Sequence, residues 1–507
     1  MTVSEVPLSS LRARVRRGLG WKAASQVFRQ LSRVVVVVIL ARLLEPADFG
    51  LAAMVLAFSA LILVFSDLGL GAALVQRASL SEADRSTIFW TNVAAGTALT
   101  AIGVAASWPI AAFYGEPEVQ PLMAALSVSF LVTALGATQS ALLSRTMEFR
   151  PLELRQMTAT LAGGVVGIVV ALQGYGAWAI ITQQIAISAV STVLLWTFSP
   201  WRPHMTFSVA SLRGVAGFGA NVFGARLLFY VSRNADNLLI GRVLGPAALG
   251  AYALAYSIML VPLERIAAPV YEVLFPAFSR LGDDTRRIAR SWLRANRMIA
   301  AISLPAMAGM IVVAPDFVQV VLGERWSDAT PVIRILAWVG LVQSLVRLNS
   351  SVLQARDRTD LLLRWSLLIT AVNVGAFVLG LQWGVVGVAA CYAVANTALQ
   401  PLNVWLTGRS VGVRVSDFAR SLAGVAQATV AMTLCALAVR LALLELDVDE
   451  AVRLALVIVV GAVVFLAACA WRVPELRADL DLLRSRPTER LALDTGLTRP
   501  SDVSPDR

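Results

Sequence analysis

Apolar runs of about twenty residues, separated by short polar segments, divide almost the whole sequence. A helical run of this length crosses the hydrocarbon core of a bilayer, because a helix rises about 1.5 Å per residue. The composition agrees, since 58% of the residues are hydrophobic and 15% are charged, against about 45–50% and about 25% in soluble proteins. The pattern predicts an all-α integral membrane protein and excludes a soluble globular fold.

We predict about fourteen transmembrane helices, whose ends are marked by charges, prolines and glycines. The predicted spans are 18–43, 49–75, 88–112, 119–143, 152–172, 177–197, 215–239, 249–275, 292–314, 331–353, 361–381, 385–407, 418–444 and 451–471.

The loops between these spans alternate in charge. Arginine collects at the N-terminus, in every second loop and in the C-terminal tail, whereas the loops between carry mostly Asp and Glu. Because cytoplasmic loops hold an excess of Arg and Lys, we expect a multi-pass protein of the inner (cytoplasmic) membrane with both termini in the cytoplasm. The net charge of +11 is explained by this orientation, and no basic stripe with interleaved aromatics indicates nucleic acid.

The sequence repeats itself at a shift of 200 residues. Ala41–Gly50 aligns with Gly241–Gly250, and a weaker echo relates Gly174–Ala179 to Gly384–Ala389. Because six helices separate the copies, the halves have the same orientation and a pseudo-twofold axis along the membrane normal, with a central cavity between them. The predicted organisation is a basic N-terminus (1–17), an N-lobe (18–199), a linker (200–214), a C-lobe (215–408), two further helices (409–472) and a polar tail (473–507).

Helices one and seven each carry a polar face. Lys22, Gln26, Arg29 and Arg33 are spaced by three or four residues, and the repeat places a similar set on helix seven. A bilayer-centred charge costs at least about 2.5–3.5 kcal/mol, so these side chains should face water, protein or an anion. One interpretation is structural, with snorkelling of Lys22 and Arg29 and an Arg233–Asp236 ion pair. The other is that these arginines line the central cavity and hold a phosphate, which suits the forked guanidinium.

The functional hypothesis assigns roles to seven residues. The anion-binding candidates are Arg29, Arg33, Arg226, Arg233 and Arg347, and the candidates for proton or sodium coupling are Asp67 and Asp236. Asn373 and Asn396 are expected to form interhelical hydrogen bonds.

The sequence argues against an enzyme. Its single histidine, His204, lies in a polar segment, and its three cysteines lie in apolar runs without metal-ligand spacing. A membrane-bound glycan polymerase or acyltransferase would need a large extracytoplasmic loop or a cluster of His, Asp and Glu. No nucleotide-binding motif is present, so we expect no cofactor beyond a coupling ion.

Several helix ends resemble one known family. The segments 41–51, 65–77, 143–151, 236–242 and 250–256 are similar to those of the Wzx-like polysaccharide exporters, within the multidrug/oligosaccharidyl-lipid/polysaccharide superfamily. The resemblance implies alternating access of two six-helix lobes and an undecaprenyl-diphosphate-linked oligosaccharide as cargo, whose diphosphate the arginines would suit. It also implies membrane lipids and glycan polymerase or export machinery as partners. The alternative is a cation-coupled exporter of drugs or metabolites from the same superfamily.

Overall fold

The structure, a computed structural model, describes residues 8–66, 74, 80–209, 230, 233–260 and 284–473. Two predicted site residues, Asp67 and Arg226, lie outside the described residues, as does the side chain of Lys22. Most of predicted helix seven and the polar tail also fall outside them.

The first half of the chain forms six helices that follow the predicted spans. They are α1 (Leu8–Leu43), α2 (Pro46–Ser66), α3 (Glu82–Tyr114), α4 (Val119–Arg145), α5 (Phe149–Leu172) and α6 (Trp178–Phe198).

The second half continues with eight further helices in the described part of the chain. They are α7 (Arg233–Leu260), α8 (Thr285–Phe317), α9 (Ala329–Ser344), α10 (Asn349–Ala355), α11 (Thr359–Gly380), α12 (Gly384–Val411), α13 (Val415–Glu445) and α14 (Glu450–Arg472).

The helices confirm the predicted all-α membrane fold. Within the described residues, eleven helical segments are long and apolar enough to cross a membrane, and Pro46–Ile62 is a shorter apolar helix. Two of the eleven contain a sharp turn, since Gly245 and Gly384 have φ of +82° and +68°, values that glycine adopts without steric cost. Counting each of these two segments as two spans, and adding the shorter helix Pro46–Ile62, gives the predicted number of about fourteen.

One predicted span is interrupted. Residues 331–353 were expected to form a single helix, but a turn over 345–348 separates α9 from α10. Asn349, the first residue of α10, accepts a hydrogen bond from Trp292 Nε1 at 3.1 Å and donates one to Asn403 at 3.1 Å. Buried polar groups need such partners, and these bonds fix the chain direction where the sequence has neither glycine nor proline.

Helix ends and packing follow the local sequence. Ser81 and Asp84 form a reciprocal capping box at the start of α3, which satisfies two otherwise unpaired backbone N–H groups. In the first half, α3 packs on α4 and α5 packs on α6, while α1 lies against α5. Small residues allow these contacts: a Cβ at Gly163 would overlap Ile187 of α6.

The chain divides into two compact units. The first comprises Met1–Leu254, Val321–Ala329 and Val374–Val388, and the second comprises Ala255–Val320, Thr330–Asn373 and Ala389–Arg507. The core of the second unit lies where α8 meets α13 and α14, with Trp292 stacked on Phe418 at a ring distance of 5.0 Å. The predicted division into lobes stays a prediction.

The internal repeat is confirmed by a reciprocal contact inside the first unit. A Cβ on Gly50 would overlap the Pro246 carbonyl, and a Cβ on Gly250 would overlap the Pro46 carbonyl. The starts of α2 and of its repeat therefore cross backbone to backbone, which only glycine permits at this distance.

A second pair of contacts obeys the same symmetry. Arg42 Nε donates to the Val321 carbonyl at 3.1 Å, and the Arg242 guanidinium lies 5.9 Å from the Phe113 ring centroid. A glycine with positive φ lies two residues after Phe113 and two residues after Val321. This further correspondence between the halves is not visible in the alignment at a shift of 200 residues. The recurring arginines thus report packing at the helix ends.

Candidate functional site

The polar face of α1 is held by α5. Arg29 forms an ion pair with Glu153 at 2.5 Å and donates to Gln26 at 2.7 Å, and the Ser25 hydroxyl also donates to Glu153. The Arg29 and Glu153 side chains keep 19% and 15% of their surface exposed. This predicted anion ligand is therefore already neutralised by a carboxylate, although part of the guanidinium is accessible.

The other predicted arginines occupy different positions. Arg33, one turn beyond Arg29 on α1, is exposed, and Arg233 is half-buried at the start of the described part of α7. Arg347 lies in the turn between α9 and α10 and belongs to the second unit. Their joint action on an anion stays a prediction.

The predicted coupling residue Asp236 is buried in α7. Its carboxylate accepts the Tyr252 hydroxyl at 3.0 Å and the Asn237 backbone N–H at 2.8 Å. The nearby Tyr230 hydroxyl donates to the Ala57 carbonyl of α2 at 3.0 Å, which ties helix seven to the first half. Both donors belong to α7 itself, and a role of Asp236 in ion coupling stays a prediction.

The two predicted interhelical asparagines do meet. Asn396 of α12 donates to Asn373 of α11 at 3.2 Å and accepts from Gln343 of α9 at 3.2 Å. This buried amide chain links three helices, as bonds between polar side chains do in membrane proteins.

Three residues near the start of α5 escape the sequence pattern. Glu153, Arg155 and Gln156 fall in the first turns of the helix, where the arginine-rich loops suggest orientation rather than a site. Glu153 neutralises Arg29, whereas Arg155 and Gln156 line a cavity of 560 Å³ between α4, α5 and α6. The sequence signal that points to this group is Glu153, an acidic residue inside a predicted span, and its basic partner Arg29 lies on another helix.

A second buried charge cluster lies in the other unit. Asp316 of α8 accepts from Arg440 of α13 at 2.6 Å and from two nitrogens of Arg453 of α14 at 2.7 and 2.9 Å. Only 1% of the Asp316 side chain is exposed. Sequence reasoning places Asp316 in a loop and gives no role to the two arginines, because their partner lies more than a hundred residues away.

The described residues contain no group of three or more His, Cys, Asp or Glu that could hold a metal ion. Several of their buried ionisable side chains lie in ion pairs between helices, as Arg29 does with Glu153 and Asp316 with Arg440 and Arg453.

Comparison with known proteins identifies close relatives in polysaccharide synthesis. Residues 39–331 match the family described as polysaccharide biosynthesis protein. The chain is 31% identical over 382 residues to the lipopolysaccharide biosynthesis protein WzxC of Escherichia coli (strain K12), covering 75% of this chain and 78% of that protein. It is 27% identical to the teichuronic acid biosynthesis protein TuaB of Bacillus subtilis (strain 168), covering 93% and 99%.

Solved structures share the fold at low identity. The lipid II flippase MurJ in an inward closed conformation has a TM-score of 0.69 at 15% identity, covering 90% of this chain and 99% of that chain. An inward-facing multidrug resistance transporter of the MATE family has a TM-score of 0.57 at 16% identity, covering 77% and 96%. The match confirms the twelve-to-fourteen-helix fold expected from the sequence.

Proposed function

Because the chain belongs to the polysaccharide biosynthesis protein family, we propose that it is a flippase that carries a lipid-linked oligosaccharide across the cytoplasmic membrane. It is a multi-pass membrane protein, and both termini face the cytoplasm in this proposal. The relatives are proteins of glycan synthesis and transport, such as the succinoglycan biosynthesis transport protein ExoT of Rhizobium meliloti (strain 1021), which is 26% identical. These relatives agree with the expectation of a transporter rather than an enzyme.

The observation that carries the proposal is the polar face of α1. Arg29 and Arg33 lie on a helix whose following residues are a run of valines, and an arginine inside an apolar span is costly unless it has a partner or a task. Glu153 already pairs with Arg29, and in this proposal a diphosphate competes for the guanidinium, because its oxygens accept several N–H donors at once. Arg226, Arg233 and Arg347 complete the proposed diphosphate site.

Transport in this proposal follows alternating access of two lobes related by the repeat. The reciprocal crossing of Gly50 and Gly250 supports an axis between the halves. Asp236 is the proposed coupling residue, binding a proton or a sodium ion, with Asp67 as the second candidate. The proposed partners are the lipid-linked cargo, membrane lipids and the machinery that polymerises or exports the glycan.

The proposal is tested by reconstituting the full chain in liposomes of phosphatidylethanolamine and phosphatidylglycerol. The probe is an undecaprenyl-diphosphate-linked oligosaccharide with a fluorophore on its glycan, which external dithionite bleaches only in the outer leaflet. We expect bleaching of nearly all the probe with protein and about half without it. Equal bleaching in both would refute the flippase.

The same assay tests the arginines and the coupling residue. The double variant Arg29→Gln/Arg33→Gln should flip the probe at least about tenfold more slowly, the equivalent of one lost charge-assisted hydrogen bond. The matched control is Arg420→Gln, since the Arg420 side chain is 77% exposed. Asp236→Asn should abolish any dependence on a proton or sodium gradient, and an unchanged dependence would remove Asp236 from the proposal.

A further inference from the structure

A cavity lies in the first unit, between α4, α5 and α6. Its volume of 560 Å³ falls in the range of small-molecule sites, about 300–1,000 Å³. One face of α4 and one face of α6 supply most of the wall, and α5 contributes Arg155 and Gln156. The cavity is thus built from the N-terminal half of the chain alone.

The wall of this cavity is rich in hydroxyl groups. Six of the lining residues are serine or threonine: Thr133, Ser140, Ser144, Ser188, Ser191 and Thr192. The hydroxyl groups of Ser144 and Thr192 donate to backbone carbonyls. Those of Ser140, Ser188 and Ser191 have no side-chain hydrogen bond among the described residues. Hydroxyl-lined space within membrane helices is unfavourable without a polar occupant.

Arg155 gives the cavity a charge. Its Nη2 donates to Gln156 at 3.3 Å, and its buried Nε has no hydrogen-bond partner in the described structure. The charges acting on Arg155 are those of Glu153 and Arg29, which neutralise each other in an ion pair. The three side chains together therefore carry one positive charge that no described carboxylate balances.

A carboxylate matches this single positive charge, because it carries one negative charge and accepts two parallel N–H bonds from a guanidinium. A phosphate monoester carries about −1.5 to −2 at neutral pH and would exceed it. The surrounding hydroxyls and the Gln156 amide match the donors and acceptors of sugar hydroxyls. A sugar that bears a carboxylate has both properties.

We propose that this cavity binds an acidic sugar unit of the cargo, a uronate, with Arg155 on its carboxylate and the serine hydroxyls on its ring hydroxyls. The proposal rests on the flippase function and adds a site within the N-terminal half that selects the glycan. It is separate from the diphosphate site on the polar face of α1.

The test is direct binding to the full chain in nanodiscs, measured by titration calorimetry with tetragalacturonate and with neutral maltotetraose. We expect the acidic oligosaccharide to bind at least about tenfold more tightly, the equivalent of one charge-assisted hydrogen bond. Arg155→Gln should remove this preference and Arg155→Lys should keep part of it. Ser188→Ala/Ser191→Ala should weaken both ligands alike.

Two results would overturn the site: equal binding of both oligosaccharides to the natural protein, or an unchanged acidic preference in Arg155→Gln with Arg420→Gln as the control. Thermal unfolding of each variant establishes that it is folded. Flipping of a neutral lipid-linked oligosaccharide separates the two proposals. Equal binding of both oligosaccharides by a natural protein that flips this neutral cargo would remove the uronate site alone, whereas absence of flipping of neutral and acidic cargo alike by the natural protein would refute the flippase itself.

Discussion

Two buried charge clusters in this molecule both pair arginine with a carboxylate, but they differ in how much of the pair is exposed. Asp316 is enclosed by Arg440 and Arg453, three helices meet on its carboxylate, and only 1% of the side chain is exposed. The Arg29–Glu153 pair joins two helices and keeps 15–19% exposed, beside the cavity that holds Arg155. A charge enclosed on all sides can only hold helices together, whereas one that keeps access to water can still exchange partners.

The enclosed cluster explains how the last two helices attach to the rest. Arg453 binds Asp316 through two nitrogens and donates a third bond to the Val448 carbonyl, so each of its three side-chain nitrogens donates a hydrogen bond. This ties α13 and α14 to α8 independently of apolar packing, which is weak as a driving force between helices in lipid.

The largest expected effect is that of Asp316→Ala. It leaves two buried arginines without a counter-charge, and removing one partner of a buried ion pair costs about 3–5 kcal/mol. We expect a large fall in the thermal unfolding midpoint of the purified protein in detergent. The control is Asp417→Ala, which removes a pair whose arginine is 77% exposed. Equal midpoints for the two variants would contradict the structural role of Asp316.

A smaller loss is expected for Arg440→Met. The variant removes one charged hydrogen bond of 2.6 Å, worth about 1.5–3 kcal/mol, but leaves a neutral Asp316–Arg453 pair of similar packing volume. The unfolding midpoint should lie between those of the natural protein and Asp316→Ala. A midpoint at or below that of Asp316→Ala would show that Arg440 contributes as much to stability as Asp316 does.

At the accessible pair, removal of the carboxylate should act on binding instead. Glu153→Gln frees Arg29 beside Arg155, so affinity for tetragalacturonate should rise by about tenfold, as one more guanidinium becomes available. The unfolding free energy should fall by less than in Asp316→Ala, because glutamine keeps a side-chain oxygen that can accept from Arg29 and Ser25. Weaker binding together with a large loss of stability would place this pair in the same class as Asp316.

The smallest effect is expected at the exposed start of α3. Glu82→Gln breaks an ion pair with Arg85 whose side chains are 54% and 32% exposed, and such pairs contribute about 0–1 kcal/mol. Neither the unfolding midpoint nor oligosaccharide binding should change measurably. A clear shift in either would mean that side-chain exposure does not distinguish the ion pairs that stabilise the fold from those that contribute little.

The helices and the repeat are predictable from the sequence, because apolar length and the glycines and prolines at helix ends are local properties. The segments around Gly50 and Gly250 align by eye, and the bond between Asn373 and Asn396 follows from amides in adjacent spans. The partners of the charges are not predictable in this way. Arg29 and Glu153 are 124 residues apart, and only the folded packing of α1 on α5 brings them together.

Two further features remained beyond sequence reasoning for the same reason. The break between α9 and α10 has no glycine or proline to mark it, since Asn349 is held by Trp292 and Asn403 from other helices. The hydroxyl-lined cavity needs the faces of three helices at once. A single polar residue in an apolar run does not disclose which of its neighbours it will meet.

The crossing of Gly50 and Gly250 bears on how the two halves of the chain can change over time. Each glycine lies against the backbone that begins the other copy's helix, so a side chain gained by either one displaces its counterpart. The halves can diverge freely in their loops and cavities. At this one crossing, however, the two copies must evolve together, because a side chain at either glycine would overlap the backbone of the other copy.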